Sequence, residues 1–384
     1  MTIALQIQVV VVGWQIYAIS KDPFSLGLIG LAEILPNFSV TLFAGHFADL
    51  YNRKKIVGIC LFFLIFSGLA LYFATSLVVD SSKLIIILYF IIALTGLARG
   101  TLGPSLFSIL TECVPKHVQV NSSSWNSTLW QIAFVLGSGA SGFLFSAISY
   151  SAYLVVSFFM SLAFLSFIFI SPKPHLVMND KRAPIFASIK EGVRYVFNHQ
   201  IILSALSLDL FAVLFGGAVA LLPIFASDIL KVGPEGLGFL KAAPSVGSFL
   251  MAIVNVYYPP VKNSGKKFLF AVSGFGVCMI IFAISKDFIL SLIVLAISGA
   301  FDNISVVVRS TIMQTYIPSE MKGKVSAVNS MFIGSSNEVG QFESGVAAKL
   351  MGVVPSVIFG GTMTLLVVIM TAFKAPKLKN LNFE

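Results

Sequence analysis

Long apolar segments follow one another along almost the whole chain, with short polar stretches between them. About 20 consecutive apolar residues are enough to cross the hydrocarbon core of a bilayer as an α-helix. The pattern predicts an all-α membrane protein with twelve transmembrane helices, at about residues 1–19, 24–48, 56–78, 84–112, 123–148, 151–171, 200–227, 237–258, 267–285, 288–316, 325–348 and 352–373. Met1 lies almost inside the first helix, so we expect this helix either to be shortened or to continue upstream.

A single long polar stretch, at residues 172–199, interrupts the apolar pattern. Pro184 can begin a short helix there, with one apolar face formed by Ile185, Ile189, Val193 and Val196. Such an amphipathic helix is expected to lie on the cytoplasmic membrane surface and to link two halves. The predicted domains are an N-terminal six-helix bundle at 1–171 and a C-terminal six-helix bundle with a short basic tail at 200–384.

The two halves match each other at a fixed offset of 203 residues. The matched positions are Gly96 with Gly299, Ile109 with Ile312, Pro115 with Pro318, Ser123 with Ser326, Asn126 with Asn329, Gly137 with Gly340, and Gly142 with Gly345. Single matches on Gly or Ser are common by chance, but a series in register over two helices and their loop indicates an internal repeat. The repeat predicts two pseudo-symmetric bundles, with a site between them near mid-membrane.

Composition and charge place the chain in a membrane and argue against nucleic-acid binding. Only 11% of the residues are charged and 57% are hydrophobic, whereas an average soluble domain is about 25% charged. Of the 25 Lys and Arg, 17 fall in loops on one side of the predicted membrane, 5 on the other side and 3 within helices. Because cations concentrate on the cytoplasmic side, both termini are predicted to be cytoplasmic. The net charge of +9 is then explained by topology and by contact with anionic lipid.

The candidate site consists of ionisable residues inside the predicted helices. They are the acids Glu33, Asp209, Asp302, Glu338 and Glu343 and the bases Arg99 and Arg309. A charged group at the centre of a transmembrane helix costs roughly 2.5–3.5 kcal/mol or more. Each of these residues is therefore expected to face a charged partner or a water-filled cavity.

Spacing and depth indicate how these charges pair. Asp302 and Arg309 are seven residues apart, two turns along one helix face. Asp209 and Arg309 lie at similar distances from the cytoplasmic ends of their helices, and the repeat places Arg99 at the position of Asp302. We predict a central network of Asp302, Arg309 and Arg99, with Asp209 near Arg309. Two interpretations stay open, static ion pairs that hold helices together or a pathway for protons and substrate.

The loop between the second and third predicted helices has the pattern Gly45-x-x-x-Asp49-x-x-x-Arg53-Lys54. It resembles the loop that joins these two helices in the major facilitator superfamily of transporters. The resemblance implies the major facilitator fold, with a cavity lined by the first, fourth, seventh and tenth helices. It also implies that this loop governs conformational switching.

Three further motifs resemble those of particular branches of that family. They are Arg99-x-x-x-Gly103, Gly137-Ser-Gly-Ala-Ser-Gly142, and Ser336-Asn337-Glu338-x-Gly340-x-x-Glu343-Ser-Gly345 together with Asp302-x-x-Ser305-x-x-x-Arg309 and Asn329. The first is similar to an element of the fourth helix in proton-coupled members. The second is similar to the glycine-rich helix of drug/proton antiporters, although the proline and paired glycines of that helix are missing. The third resembles the exporter branch that includes the bacterial enterobactin exporter, which implies efflux of a small molecule.

No Ser-His-Asp arrangement, metal-ligand spacing or phosphate-binding glycine loop is evident in the sequence. We therefore expect no enzyme activity and no cofactor, and we predict that proton antiport drives export of a drug-like or siderophore-like molecule. The expected partners are this substrate, protons and membrane lipid, with no nucleic acid and a monomeric protein. The alternatives are a proton-coupled importer of sugars, organic acids or peptides, and a lipid-handling flippase of the same fold.

Substitution Asp49→Asn is expected to impair transport while equilibrium substrate binding stays within a few-fold of the wild type. Asp49 lies at the cytoplasmic end of a predicted helix, too far from mid-membrane to contact a bound substrate. Transport in proteoliposomes and binding to the purified protein would be measured side by side. Complete loss of binding in folded Asp49→Asn protein would contradict the switching role.

Overall fold

The computed structural model of the protein describes residues 1–50, 52–115, 118–170, 185–216 and 218–383. Side chains are described in these ranges except at 41–50, 104, 107–108, 111–112, 119–121, 123–124, 185–188, 319, 327 and 335. All regular secondary structure in these ranges is helical. The helices before the linker are α1 (Thr2–Ser20), α2 (Pro23–Leu50), α3 (Arg53–Leu77), α4 (Ser81–Cys113), α5 (Gln119–Ile148) and α6 (Ala152–Ile168).

The remaining helices begin at the linker. They are α7 (Ile185–Asn198), α8 (Gln200–Phe215), α9 (Leu222–Ile224), α10 (Gly233–Tyr257), α11 (Ser264–Ile284), α12 (Phe288–Thr315), α13 (Ser319–Met351), α14 (Val353–Lys374) and α15 (Pro376–Lys379). Between α8 and α10 the chain continues as a 3-10 turn at Ala218–Leu221, the short α9 and a π-helical turn at Phe225–Ile229.

The described residues contain ten segments that are long and apolar enough to cross a membrane. One of them, Trp125–Ile168, is 44 residues long and contains most of α5 and all of α6, joined by a 3-10 turn. The most polar long helix, α13, is not among the ten. The twelve predicted transmembrane helices correspond to α1–α6, α8 and α10–α14, which confirms the predicted fold class.

The chain divides into two compact units. The first comprises Met1–Asn179 with Ala226–Ala242, and the second comprises Asp180–Phe225 with Ala243–Glu384. Segment 226–242 belongs to the first unit because its residues contact α1 and α5: the Tyr17 hydroxyl donates to the Asp228 carboxylate, and a Cβ atom on Gly142 would overlap the carbonyl oxygen of Pro234. This segment lies within the predicted C-terminal bundle, 200–384, and the predicted domain boundaries stay a prediction.

Glycines matched by the internal repeat make equivalent close helix contacts in the two units. In the first unit a Cβ atom on Gly96 of α4 would overlap the backbone of α2, and in the second a Cβ atom on Gly299 of α12 would overlap the backbone of α10. Gly137 of α5 and Gly340 of α13 likewise lie against the backbones of α1 and α8. The repeat therefore marks positions where small residues allow two helices to approach closely.

A buried polar network connects three helices of the first unit. Gln15 of α1 is fully buried, and its amide nitrogen donates to the Thr75 hydroxyl of α3 at 2.9 Å. Its amide oxygen accepts from the Tyr153 hydroxyl of α6 at 2.5 Å. Both ends of the amide therefore have partners, as a buried polar group requires.

The predicted linker helix is present as α7, and it packs against α13 within the second unit. Val196 is fully buried, and a Cβ atom on Gly192 would lie 2.8 Å from the carbonyl oxygen of Lys324. The Lys324 ammonium also forms an ion pair with Glu191 at 2.5 Å. The prediction that this helix lies on the membrane surface missed these contacts, while Pro184 lies outside the described residues.

Substitution Gln15→Met should destabilise the first unit, because it leaves the buried Tyr153 hydroxyl without an acceptor. Side-chain hydrogen bonds between transmembrane helices contribute about 0.6 kcal/mol on average and up to ~1.7 kcal/mol. We expect a lower melting temperature in detergent and partial recovery in the double variant Gln15→Met/Tyr153→Phe. A double variant that is less stable than Gln15→Met would contradict this account of the network.

Candidate functional site

Glu33 and Arg99 form an ion pair inside the first unit. Glu33 lies in α2, three residues before the helix-interior Pro36, and Arg99 lies in α4. The helices meet here because Gly96 has no side chain, so the backbone of α4 lies directly against the backbone of Glu33. Glu33 is only 8% exposed, so its carboxylate depends on Arg99 for charge compensation.

A small cavity adjoins this ion pair. Its volume is about 20 Å³, which is sufficient for one water molecule. The polar residues that line it are Gln8 of α1, Glu33 of α2, and Thr95 and Arg99 of α4. The remaining lining residues are apolar, so this is a confined polar site within an apolar helix interface.

Gln8 and Thr95 are functional candidates that the sequence analysis missed. Both side chains are buried, with 4% of each residue exposed, and the Gln8 amide nitrogen lies 3.4 Å from the Thr95 hydroxyl oxygen. The sequence-based candidates were chosen by charge, which excluded neutral polar residues. A usable signal was present, because Gln8 is one of three glutamines in the largely apolar helix α1.

Asp209 and Arg309 form a second ion pair, inside the second unit. Asp209 lies in α8 and Arg309 in α12, and the residues are 6% and 7% exposed. The equal depths inferred from the sequence agree with this contact. Because both groups are nearly buried, removing one of them leaves an uncompensated charge, at a cost of about 3–5 kcal/mol.

The predicted pairing of Asp302 with Arg309 is wrong, because Arg309 pairs with Asp209 and Asp302 has no ion-pair partner among the described residues of its own unit. Arg99 pairs with Glu33 in the first unit, and its predicted pairing with Asp302 of the second unit stays a prediction. Seven residues along α12 correspond to a rise of about 10 Å, which separates Asp302 from Arg309 by more than an ion-pair distance. Asp302 instead lines a cavity of about 10 Å³ together with Asp209 and Ser305.

The two remaining acids lie in α13. Glu338 is partly buried, and its carboxylate accepts a hydrogen bond of 2.9 Å from the Gln341 amide. Glu343 is also partly buried. In the part of the chain that the structure describes, no group of three or more His, Cys, Asp or Glu side chains could hold a metal ion. The roles of Glu338 and Glu343 stay predictions.

The predicted switch loop is described only from its C-terminal side. Gly45 and Asp49 lie in the last turns of α2, and the Asp49 side chain lies outside the described residues. Arg53 and Lys54 begin α3. The Lys54 ammonium donates to the Ile168 carbonyl oxygen, at the C-terminal end of α6, with a distance of 2.8 Å. A cation at a helix C-terminus is favourable, so Lys54 connects α3 with α6.

Comparison with protein families identifies the fold family of the chain. The sequence model of the Major Facilitator Superfamily matches residues 1–341. The chain belongs to this superfamily. It is therefore a multi-pass membrane protein of a transporter family, as the twelve helices and the 6+6 arrangement of the repeat indicate. A comparison with curated proteins finds no match.

Solved structures of several transporters share the fold at low sequence identity. A D-xylose–proton symporter is 13% identical, with 100% of this chain and 99% of that chain covered and a TM-score of 0.72. The nucleoside transporter NupG is 13% identical over 97% and 96% of the chains, with a TM-score of 0.69. A bacterial homologue of the iron transporter ferroportin is 14% identical over 99% and 96%, with a TM-score of 0.68. These similarities concern the fold alone.

Substitution Arg309→Ala should strongly lower the stability of the protein in detergent, because it strands Asp209. We expect Arg309→Ala to lower the free energy of unfolding by about 3–5 kcal/mol. Adding Asp209→Asn removes the stranded charge and should restore most of this stability. Adding Asp302→Asn should restore none, since Asp302 has no ion pair in the described residues. The melting temperature of each variant measures the effect.

Arg99→Ala is the matched comparison for this experiment. The Arg99 side chain is 33% exposed, whereas the Arg309 side chain is 9% exposed. Solvent can compensate part of the lost charge at the more exposed pair, so Arg99→Ala should destabilise less than Arg309→Ala. Rescue of Arg309→Ala by Asp302→Asn and not by Asp209→Asn would contradict the observed pairing.

Proposed function

We propose that the protein is a secondary active transporter that exports a small molecule in exchange for protons, by alternating access. The observation that carries the proposal is the Glu33–Arg99 ion pair beside a water-sized polar cavity. A buried carboxylate that has one cationic partner and adjoins space for water can take up and release a proton.

Glu33 can form an ion pair with Arg99 only while its carboxylate is ionised, so protonation of Glu33 breaks the ion pair. A neutral carboxyl group has no charge to compensate Arg99, so proton uptake removes the Coulomb attraction between α2 and α4. Pro36 deprives the Ala32 carbonyl of its intrahelical hydrogen bond, because proline has no N–H to donate. The proton can therefore change how α2 and α4 are held together, which is the kind of link that proton-coupled transport needs.

Export is supported by the sequence resemblance to the branch that includes the enterobactin exporter. The proposed partners are a siderophore-like or drug-like molecule, protons and membrane lipid, with the protein acting as a monomer in a bacterial inner membrane with both termini in the cytoplasm. The loop residues Gly45, Asp49, Arg53 and Lys54 are proposed to govern switching. Asp302 and Glu338 remain further candidates for the coupled proton.

Everted membrane vesicles test the coupling directly. With an acidified lumen and an entrapped pH dye, addition of a catecholate siderophore should raise the lumenal pH if the protein exchanges substrate for protons. The change should disappear in Glu33→Gln, whereas Glu33→Gln should still exchange labelled for unlabelled siderophore, since exchange needs no net proton movement. Asp302→Asn and Glu338→Gln should retain the pH response if Glu33 carries the proton.

Other outcomes would identify a different transporter. A fall in lumenal pH on addition of the probe indicates symport and hence import. A response to labelled lysophospholipid, with none to siderophore or D-xylose, indicates lipid handling. Full proton-driven accumulation in Glu33→Gln, Asp302→Asn and Glu338→Gln alike would refute proton coupling through these acids.

A further inference from the structure

In the Gln8 side chain the amide nitrogen has a hydrogen-bond partner and the amide oxygen has none among the described residues. Its amide nitrogen faces the Thr95 hydroxyl oxygen. Its amide oxygen is buried and has no hydrogen-bond partner among the described residues. Buried side-chain acceptors in native proteins are nearly always paired, so an unpaired acceptor on a residue that lines a cavity suggests a ligand that donates a hydrogen bond.

Thr95 fixes the orientation of the Gln8 amide. The Thr95 hydroxyl donates its only hydrogen to the Ile91 carbonyl oxygen, at 3.0 Å. Its oxygen can then only accept, so it selects the amide nitrogen of Gln8 and not the amide oxygen. The free acceptor of Gln8 is thereby held in a defined position next to the Glu33–Arg99 ion pair, with which it shares the cavity.

The cavity is large enough for one water molecule. Its volume of about 20 Å³ exceeds the ~10–15 Å³ that a single water needs. A bound water also needs two to four polar partners. Gln8 offers an acceptor, Glu33 offers a second acceptor, and Arg99 offers N–H donors, so the site can satisfy both hydrogens and the oxygen of a water molecule.

We propose that Gln8, oriented by Thr95, holds a single water molecule against the Glu33–Arg99 ion pair and that this water carries the proton to and from Glu33. The inference rests on the proposed proton coupling at Glu33 and names the residues that serve it. Gln8 and Thr95 are positioning residues, because they act on Glu33 through the water. Arg99 is the charged group that contacts Glu33 among the described residues.

Proton transfer through this water conserves atoms and charge. The bound water passes one of its protons to the Glu33 carboxylate while its oxygen accepts a proton from a hydronium ion, which reaches the cavity when the alternating access of the proposed transporter opens the site to an aqueous phase. Glu33 becomes neutral, the hydronium becomes water, and the bound water is regenerated with Gln8 as its acceptor. The reverse sequence releases the proton.

Infrared spectroscopy of the purified protein in lipid tests this proposal without the transported substrate. The carbonyl band of protonated Glu33 is assigned by its loss in Glu33→Gln. Its rate of hydrogen–deuterium exchange is then measured after transfer to D₂O. Substitution Gln8→Met keeps an unbranched side chain but removes the acceptor, and we expect it to slow this exchange by about tenfold or more.

Gln15→Met is the matched control. Gln15 lies two turns along the same helix and is equally buried, but both ends of its amide are paired. The same substitution there should lower stability and leave the exchange rate of Glu33 unchanged. Thr95→Val, which removes the group that orients Gln8, gives a second variant and should also slow exchange.

The outcomes separate this inference from the proposed function. A Glu33 band in the wild type with unchanged exchange in both Gln8→Met and Thr95→Val would overturn the water site and leave proton coupling intact. Slower exchange in Gln15→Met equal to that in Gln8→Met would also overturn it, because the effect would then be one of stability. Absence of a Glu33 band at any pH would overturn both proposals.

Discussion

Inside a bilayer no water is available to a charged or hydrogen-bonding group, so each such group must be satisfied within the protein or within a cavity that the protein encloses. This constraint accounts for the helical fold and for the ion pairs. Glu33 and Asp209 each meet an arginine from a neighbouring helix of the same unit. Those contacts in turn require the helices to lie close together, and the glycines at the crossings of α4 with α2 and of α12 with α10 allow it.

The two halves share their close helix contacts but differ in the chemistry of their charges. The Asp209–Arg309 pair is nearly buried on both sides, which is the arrangement expected of a contact that stabilises the bundle. The Glu33–Arg99 pair has an arginine that is one-third exposed and a cavity of water size beside it. The repeat therefore preserves the helix packing but not the surroundings of the charged residues, and this difference is why we propose proton exchange in the first unit and not in the second.

Apolar periodicity was sufficient to predict the twelve helices, because the bilayer imposes length and composition on each of them. Two of the glycine pairs that the internal repeat matches make equivalent helix contacts in the structure. The pairing of charges was only partly predictable: depth along the helix identified Asp209 as the partner of Arg309, but spacing along α12 wrongly suggested Asp302. Helix rotation decides which residues of neighbouring helices face each other, and a single sequence contains little information about it. Neutral polar residues such as Gln8 were missed because they carry no charge.

Two buried glutamines in α1 differ in their hydrogen-bond partners, and this difference separates a structural residue from a candidate functional one. Gln15 and Gln8 are two helical turns apart and almost equally buried, so neither residue type nor burial distinguishes them. Gln15 uses its whole amide to hold α3 and α6, which is a structural task. Gln8 uses its amide nitrogen within the protein, whereas its amide oxygen has no hydrogen-bond partner among the described residues. Because an unpaired buried acceptor is unfavourable and Gln8 lines a cavity together with Glu33 and Arg99, we propose a role for Gln8, but not for Gln15, in proton transfer to Glu33.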